Sequence, residues 1–238
     1  MKSKIIFLIL LLSTGFGSIA QTSPQNISTL DSLFNAKKYK EAEVIILKDI
    51  EKFIDAINTD TLPFYVFYYG KAINLNRGYP AAKTALPQIT GKLKNTFGKH
   101  QVVLNAIVNA AEFYATQDDS QHAYNVLKNA LEYFKELDDK TINRIRAHSN
   151  MGTYAMRLGN YETSSEHYRI AMQLTENEAE PDLRSLFIAN NSMGIVMWYA
   201  SKIDSCVYYF KKAIEVLDKM DDGPMSLYYR KAIIENNI

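Results

Sequence analysis

The chain has 238 residues, of which 27 are Lys or Arg and 26 are Asp or Glu, so its formal net charge is +1. This balance leaves no excess of positive charge, which argues against nucleic acid or an anionic membrane surface as a partner. Gly (10 residues) and Pro (6 residues) are few, and the composition favours long helices over a sheet.

The first twenty residues have the pattern of a secretory signal peptide. Two lysines precede an apolar run from Ile5 to Leu12, and Ser18-Ile19-Ala20 places small residues at a cleavage position. The run is too short for an anchor helix, which needs roughly 20 apolar residues. We therefore expect cleavage after Ala20, a periplasmic or extracellular mature protein of residues 21–238, and no membrane insertion after cleavage.

The rest of the chain repeats with a period of about 41 residues. Gly152 and Gly194 lie 42 residues apart, as do Ala171 and Ala213. In all five units a small residue recurs at one position, and a larger residue follows it four positions later. The first set is Ala42, Ala82, Ala123, Ser164 and Cys206, and the second set is Ile46, Leu86, Leu127, Tyr168 and Phe210. We expect stacked pairs of helices whose backbones approach closely at the small residues.

Turn residues divide each unit into two helices. The predicted turns are Arg77-Gly78, Asp118-Asp119-Ser120, Leu158-Gly159-Asn160 and Ser201-Lys202. Pro87 lies inside the second helix of the second unit. Because proline lacks the N–H that would bond to the Lys83 carbonyl, we predict a kink or break there.

Together these positions resemble the tetratricopeptide repeat, most closely in Asn150-Met151-Gly152, Leu158 to Tyr161 and Tyr168 to Ala171. The resemblance implies an all-α solenoid of antiparallel helix pairs, wound as a right-handed superhelix. The period exceeds the usual 34 or so residues of this family, so it resembles a long-period variant. We expect units at about 27–58, 62–97, 100–138, 141–178 and 181–221, and a partial unit at about 224–238.

In this family the first helices line a concave groove that binds proteins or peptides, so the resemblance implies a non-catalytic scaffold or adaptor. The groove positions carried over to this sequence are Phe64, Phe67, Lys71, Asn74, Asn105, Glu112, Arg146, Thr153, Arg157, Asn191, Trp198 and Tyr199. For Trp198 and Tyr199 the alternative is packing on the next unit. Asn109 and Asn150 are expected to be structural, because the lysines of the family's carboxylate clamp are missing beside them.

Motifs for catalysis, cofactors or metals do not stand out. The histidines, including His148, form no metal-binding pair by spacing, and we expect His148 to be a packing residue. Cys206 occupies a small-residue position and is expected to be a buried spacer. Asp118-Asp119 is expected to serve as a turn and cap. We therefore predict no enzyme activity and no cofactor.

An alternative function is the sensor ectodomain of a membrane-bound transcriptional regulator or kinase, truncated or encoded without its downstream parts. The segment from Met225 to Ile238 is predicted to be the first helix of a sixth unit, apolar on more than one side. Exposed apolar helices of this kind promote association, so we expect self-association through this helix. The sequence alone does not identify the protein or peptide partner.

Overall fold

The protein is all-α in the part that the computed structural model describes, residues 27–55, 61–136 and 142–220. Ten helices follow one another in this part, with no strand among them. Their bounds are α1 Ile27–Asn35, α2 Tyr39–Asp55, α3 Leu62–Arg77, α4 Tyr79–Phe97, α5 Gln101–Thr116, α6 Ser120–Tyr133, α7 Ile142–Arg157, α8 Tyr161–Glu176, α9 Leu183–Tyr199 and α10 Ile203–Leu217. The predicted all-α fold of helix pairs is confirmed. The predicted signal peptide (1–20) and sixth-unit helix (225–238) lie outside the described residues.

A tight turn with one left-handed residue joins the two helices of each pair. The five residues are Lys37 (φ 58°), Gly78 (φ 87°), Asp118 (φ 59°), Gly159 (φ 76°) and Ser201 (φ 58°). In every one of these turns except that at Gly78, a backbone N–H bonds to the carbonyl five residues earlier, as Asn160 does to Ala155 at 2.9 Å. This bond ends the first helix and reverses the chain.

In three of the pairs, a side chain of the second helix packs closely against a glycine of the first helix. The ring of Phe210 lies against Gly194, so a Cβ added to that glycine would be 2.6 Å from Phe210 Cδ1. A Cβ added to Gly152 would be 3.0 Å from the ring of Tyr168. These contacts join Gly152 and Gly194, which lie 42 residues apart, to Tyr168 and Phe210 of the recurring set of larger residues.

First helices of neighbouring units also pack directly on one another. α3 contacts α5, α5 contacts α7, and α7 contacts α9, whereas successive second helices have no contacts of this extent in the described residues. Because the first helices lie closer together, the array curves towards them. We call the surface formed by α3, α5, α7 and α9 on this inner side the first-helix face.

An apolar core extends along the array between first and second helices. Its fully buried side chains include Tyr65, Tyr114 and Phe134. Several of the polar groups inside it are hydrogen-bonded locally, as where the Ser164 hydroxyl donates to the Gly152 carbonyl at 2.7 Å. Among the described helices, none combines the length and apolar character needed to cross a membrane.

Of the kink or break predicted at Pro87, the break does not occur. Helix α4 runs without interruption from Tyr79 to Phe97, with Pro87 inside it and its ring on the exposed side. The opposite side of α4 is buried, at Leu86 and Leu93 among others. Packing of this side offsets the local penalty of proline, as tertiary contacts commonly override intrinsic helix propensity.

Replacing Gly152 with leucine should destabilise the array. The new side chain would meet the ring of Tyr168, which is 1% exposed and has little room to move. Overpacking of this kind costs roughly 1–3 kcal/mol. The matched control is Gly91→Leu in α4, where a Cβ would meet no atom within 4 Å. Urea unfolding should show a loss for Gly152→Leu only, and equal changes for the two variants would contradict the close approach of α7 and α8.

Candidate binding surface

The predicted groove residues lie on the four first helices α3, α5, α7 and α9, at different depths. Those that are half-buried are Phe64, Phe67, Lys71, Asn74, Asn105, Glu112, Arg146, Thr153 and Asn191. Thr153 also shares a 2.8 Å hydrogen bond with the hydroxyl of Tyr168 on the second helix of its own unit. Arg157, Trp198 and Tyr199 are exposed. The set therefore contains both packed and open positions.

Glu112 and Arg146 form the centre of a polar network across the contact between α5 and α7. Arg146 Nε donates to Glu112 Oε1 at 2.8 Å, and Arg146 Nη2 donates to Oε2. Asn150 donates to the same Oε1 at 2.8 Å, while Arg146 also donates to the side-chain oxygens of Asn105 at 3.1 Å and Asn109 at 3.4 Å. The network engages all three guanidinium nitrogens and ties the third and fourth units together.

Aromatic rings surround the N-terminal part of the first-helix face. The Nζ atom of Lys71 lies 4.5 Å from the ring centroid of Phe34, which is an attractive cation–π geometry. Phe67 packs edge-on against Phe113, with ring centroids 6.2 Å apart. Lys71 thus holds a defined position beside aromatic rings while its ammonium group remains partly exposed.

The C-terminal part of the face is open and apolar. Trp198 is 47% exposed, and Leu158, at the turn that follows α7, is 45% exposed. Tyr199 stacks on Tyr161 of the preceding unit, with ring centroids 5.7 Å apart and ring planes inclined by 6°. Tyr199 therefore has one face packed and one edge in solvent, whereas Trp198 stays exposed on the surface.

Two histidines that sequence spacing did not relate lie in direct contact. His148 Nδ1 on α7 is 3.1 Å from His167 Nδ1 on α8, and His167 Nε2 is 3.0 Å from the Tyr124 hydroxyl on α6. Only one of the facing nitrogens can carry a proton while this bond persists. Burial, together with the charges of His167 and Arg144, lowers the pKa of His148 to about 4. The pair was missed because it depends on helix packing, not on a local motif.

The described residues show no constellation typical of catalysis or metal binding. No group of three or more His, Cys, Asp or Glu in this part could hold a metal ion. Cys206 is 1% exposed, and burial raises the pKa of its thiol, the opposite of an activated nucleophile. Asp119 caps α6 by accepting from the His122 N–H at 3.2 Å. Burial alone would raise the pKa of Asp119, but hydrogen bonds from Lys83, Tyr79 and this N–H bring it to about 2.

Comparison with known proteins identifies the repeat. A family model described as tetratricopeptide repeat matches residues 143–219. This range runs from the start of α7 to just beyond the end of α10. The structure of BtubC (BKLC) from P. vanneervenii is similar, with a TM-score of 0.67 and 10% identity over 83% of this chain and 84% of that chain. A putative kinesin light chain with nearly identical TPR-like repeats, from Podosopora anserina, gives a TM-score of 0.57 and 10% identity over 86% of this chain and 100% of that chain. No curated protein matches the sequence.

Acid should weaken the contact between α7 and α8. The pKa of His148 is near 4 in the folded protein and about 6.5 when unfolded, so its contribution to stability is complete above about pH 6.5. That contribution, up to about 3 kcal/mol, is lost as the pH falls towards 4. His148→Gln removes the titrating group but keeps a polar side chain. Between pH 7 and pH 4 the urea midpoint of the parent should therefore fall relative to that of the variant, and a difference that stays constant with pH would contradict the assignment.

Proposed function

We propose that this chain, whose residues 143–219 match the tetratricopeptide-repeat family model, is a non-catalytic scaffold or adaptor that binds a protein or peptide on its first-helix face. The observation that carries the proposal is the exposure of two neighbouring aromatic side chains on α9, Trp198 (47% exposed) and Tyr199 (39% exposed). Aromatic side chains dominate the hot spots of protein interfaces.

The polar network at the centre of the face supports this proposal by making the surface rigid. Glu112 and Arg146 are only 23% and 19% exposed, and their hydrogen bonds join α5 to α7. A preorganised surface loses less conformational entropy when a partner binds. We therefore assign to Glu112 and Arg146 the role of positioning the helices. We assign direct contact with the partner to the exposed residues of the face on either side of this network.

Site-specific photo-cross-linking tests the proposed surface. A photoreactive phenylalanine analogue at position 198 should cross-link to a partner protein in the cells that make this chain. The matched control is the same analogue at position 208, because Tyr208 is also an exposed aromatic residue (55% exposed) but lies on the second helix α10. A product specific to position 198 is the expected result. Equal cross-linking from both positions, or from position 208 alone, would contradict binding on the first-helix face.

We propose further that the mature protein acts outside the cytoplasm. The support is the sequence of residues 1–20, with its basic start, short apolar run and small residues before position 21. This location would place the first-helix face in contact with partners in the periplasm or beyond the cell.

N-terminal sequencing tests this location. Protein recovered from the extracytoplasmic fraction should begin at Gln21, since cleavage after Ala20 is expected. Ala20→Arg places a large charged residue at the cleavage position and should leave the leader attached. An intact Met1 on the extracytoplasmic parent protein would show that the cleavage assignment is wrong.

A further inference from the structure

The outer side of the joint between the third and fourth units contains a chain of hydrogen bonds through two histidines. The hydroxyl of Tyr124 on α6 lies 3.0 Å from Nε2 of His167 on α8, and Nδ1 of His167 lies 3.1 Å from Nδ1 of His148 on α7. In the described residues, α6 and α8 otherwise have little contact. We call these three side chains the histidine latch, since they tie the second helix of one unit to both helices of the next.

Arginines tie α7 to the third unit independently of the latch. Arg146 forms an ion pair with Glu112 on α5, and Arg144 donates to the carbonyl of Phe134 at the end of α6. An arginine keeps its charge in proteins. Neither contact contains a histidine, which is the side chain that ordinarily titrates between about pH 5 and pH 8. A fall in pH within that range therefore leaves α7 attached and acts on the latch.

We infer that the histidine latch is a proton-operated switch, which frees α8 from α6 once both rings are charged and leaves the fourth unit joined to the third through α7 alone. A neutral imidazole has one donor and one acceptor nitrogen, whereas both nitrogens of a charged imidazole are donors. The latch tolerates a first proton, because a charged His167 still donates to a neutral His148. A second proton makes both facing nitrogens donors, so the bond between them is lost. Both rings are only half-buried, so they reach solvent by a change of rotamer.

The latch is expected to open between about pH 6.5 and pH 4. Burial, together with the charges of His167 and Arg144, lowers the pKa of His148 to about 4. Burial also lowers the pKa of His167, although Glu166 raises it in part. In the open state both rings lie in solvent, where the ordinary pKa of histidine is about 6.5. The closed state is therefore favoured above about pH 6.5, and this advantage is lost as the pH falls towards 4.

The charged groups around the latch separate its two protonation steps. Glu166 on α8 favours the first proton, and Arg144 on α7 opposes the second. On α6 the facing group is Tyr124, whose pKa is raised by burial and by Glu166, so its hydroxyl keeps its proton. Helices α5 and α9 also pack against α7, but Glu112 of α5 and Arg184 of α9 do not shift the pKa of either histidine. Release of α8 therefore depends on the second proton.

The joint between the second and third units is an acid-resistant counterpart. There Asp119, at the start of α6, accepts 2.6 Å hydrogen bonds from the Tyr79 hydroxyl and from Lys83 Nζ, both on α4. Burial alone would raise the pKa of Asp119, but these bonds and the His122 N–H bring it to about 2. Among the described residues, His122 Nε2 has no hydrogen bond that protonation could break. This joint should therefore stay closed over the pH range in which the latch opens.

Distances between spin labels on neighbouring second helices test the latch. One pair of labels is attached to Asn125→Cys on α6 and Arg169→Cys on α8, and the matched control pair to Gln88→Cys on α4 and Lys128→Cys on α6. These residues are exposed. Cys206 is 1% exposed, so the introduced thiols react first. Electron paramagnetic resonance gives the distance distribution of each pair from about pH 7.5 down to about pH 4, which spans the open and closed pKa values of the latch. Far-UV circular dichroism verifies that the helices persist.

In the parent chain the distribution between α6 and α8 should broaden as the pH falls, with a midpoint between about 6.5 and 4, while that between α4 and α6 stays unchanged. His148→Gln removes one titrating ring but keeps a polar side chain, so the broadening with pH should be lost. Tyr124→Phe removes the hydroxyl that holds His167 of α8, so the distribution should be broad already at the starting pH.

The inference is overturned if the parent distribution between α6 and α8 stays unchanged over this pH range. It is also overturned if the control pair broadens equally, which indicates a general expansion in acid. An equal response of His148→Gln would show that groups outside the latch cause the change. If that variant does not fold, His167→Gln provides the same comparison, and the two label pairs of the parent chain still decide. No partner takes part in these measurements, so their outcome is independent of the proposed function.

Discussion

The array depends on one kind of contact, seen in three of its helix pairs, in which a large side chain of the second helix rests on a glycine of the first helix. Gly194 leaves room for the ring of Phe210, and Gly152 leaves room for Tyr168. Two helices joined this closely still leave apolar surface uncovered on both sides, so each pair needs a neighbour to cover it. Because the first helices of neighbouring units then pack on one another, they form a continuous inner face. The surface that we assign to binding is thus a product of the packing that makes the fold stable.

Hydrogen bonds and ion pairs between neighbouring units determine which polar residues of that face could still contact a partner. Glu112 and Arg146 are hydrogen-bonded to each other and to three asparagines, so changing either one would leave partly buried polar groups without hydrogen-bond partners. Lys71 and Arg157 are held only by a ring and a backbone carbonyl, which fix their positions and leave their charges unneutralised. Trp198 has no such role within the fold, and nearly half of its surface is in solvent. The structural roles and the proposed binding roles therefore fall to different residues of the first helices.

The helix pairs and their turns could be predicted from the sequence because small residues, large residues and turn residues are local signals that recur. The resemblance placed the predicted groove residues on first helices, where the structure has them. It could not predict which of them are paired, since the ion pair of Arg146 with Glu112 depends on how two units pack. The contact between His148 and His167 was beyond prediction for the same reason, as it joins two helices without a motif. The predicted break at Pro87 was wrong because local propensity was weighed without the packing that holds α4 together.

Hydrogen–deuterium exchange of the intact chain, alone and in complex with the partner captured at position 198, tests the central claim most directly. If the first-helix face is the binding surface, partner binding should slow exchange in α3, α5, α7 and α9 and at the turn around Leu158. Exchange in the outer second helices α4, α6 and α8 should change little. Protection confined to those second helices, with the first helices unaffected, would contradict the assignment of the binding face.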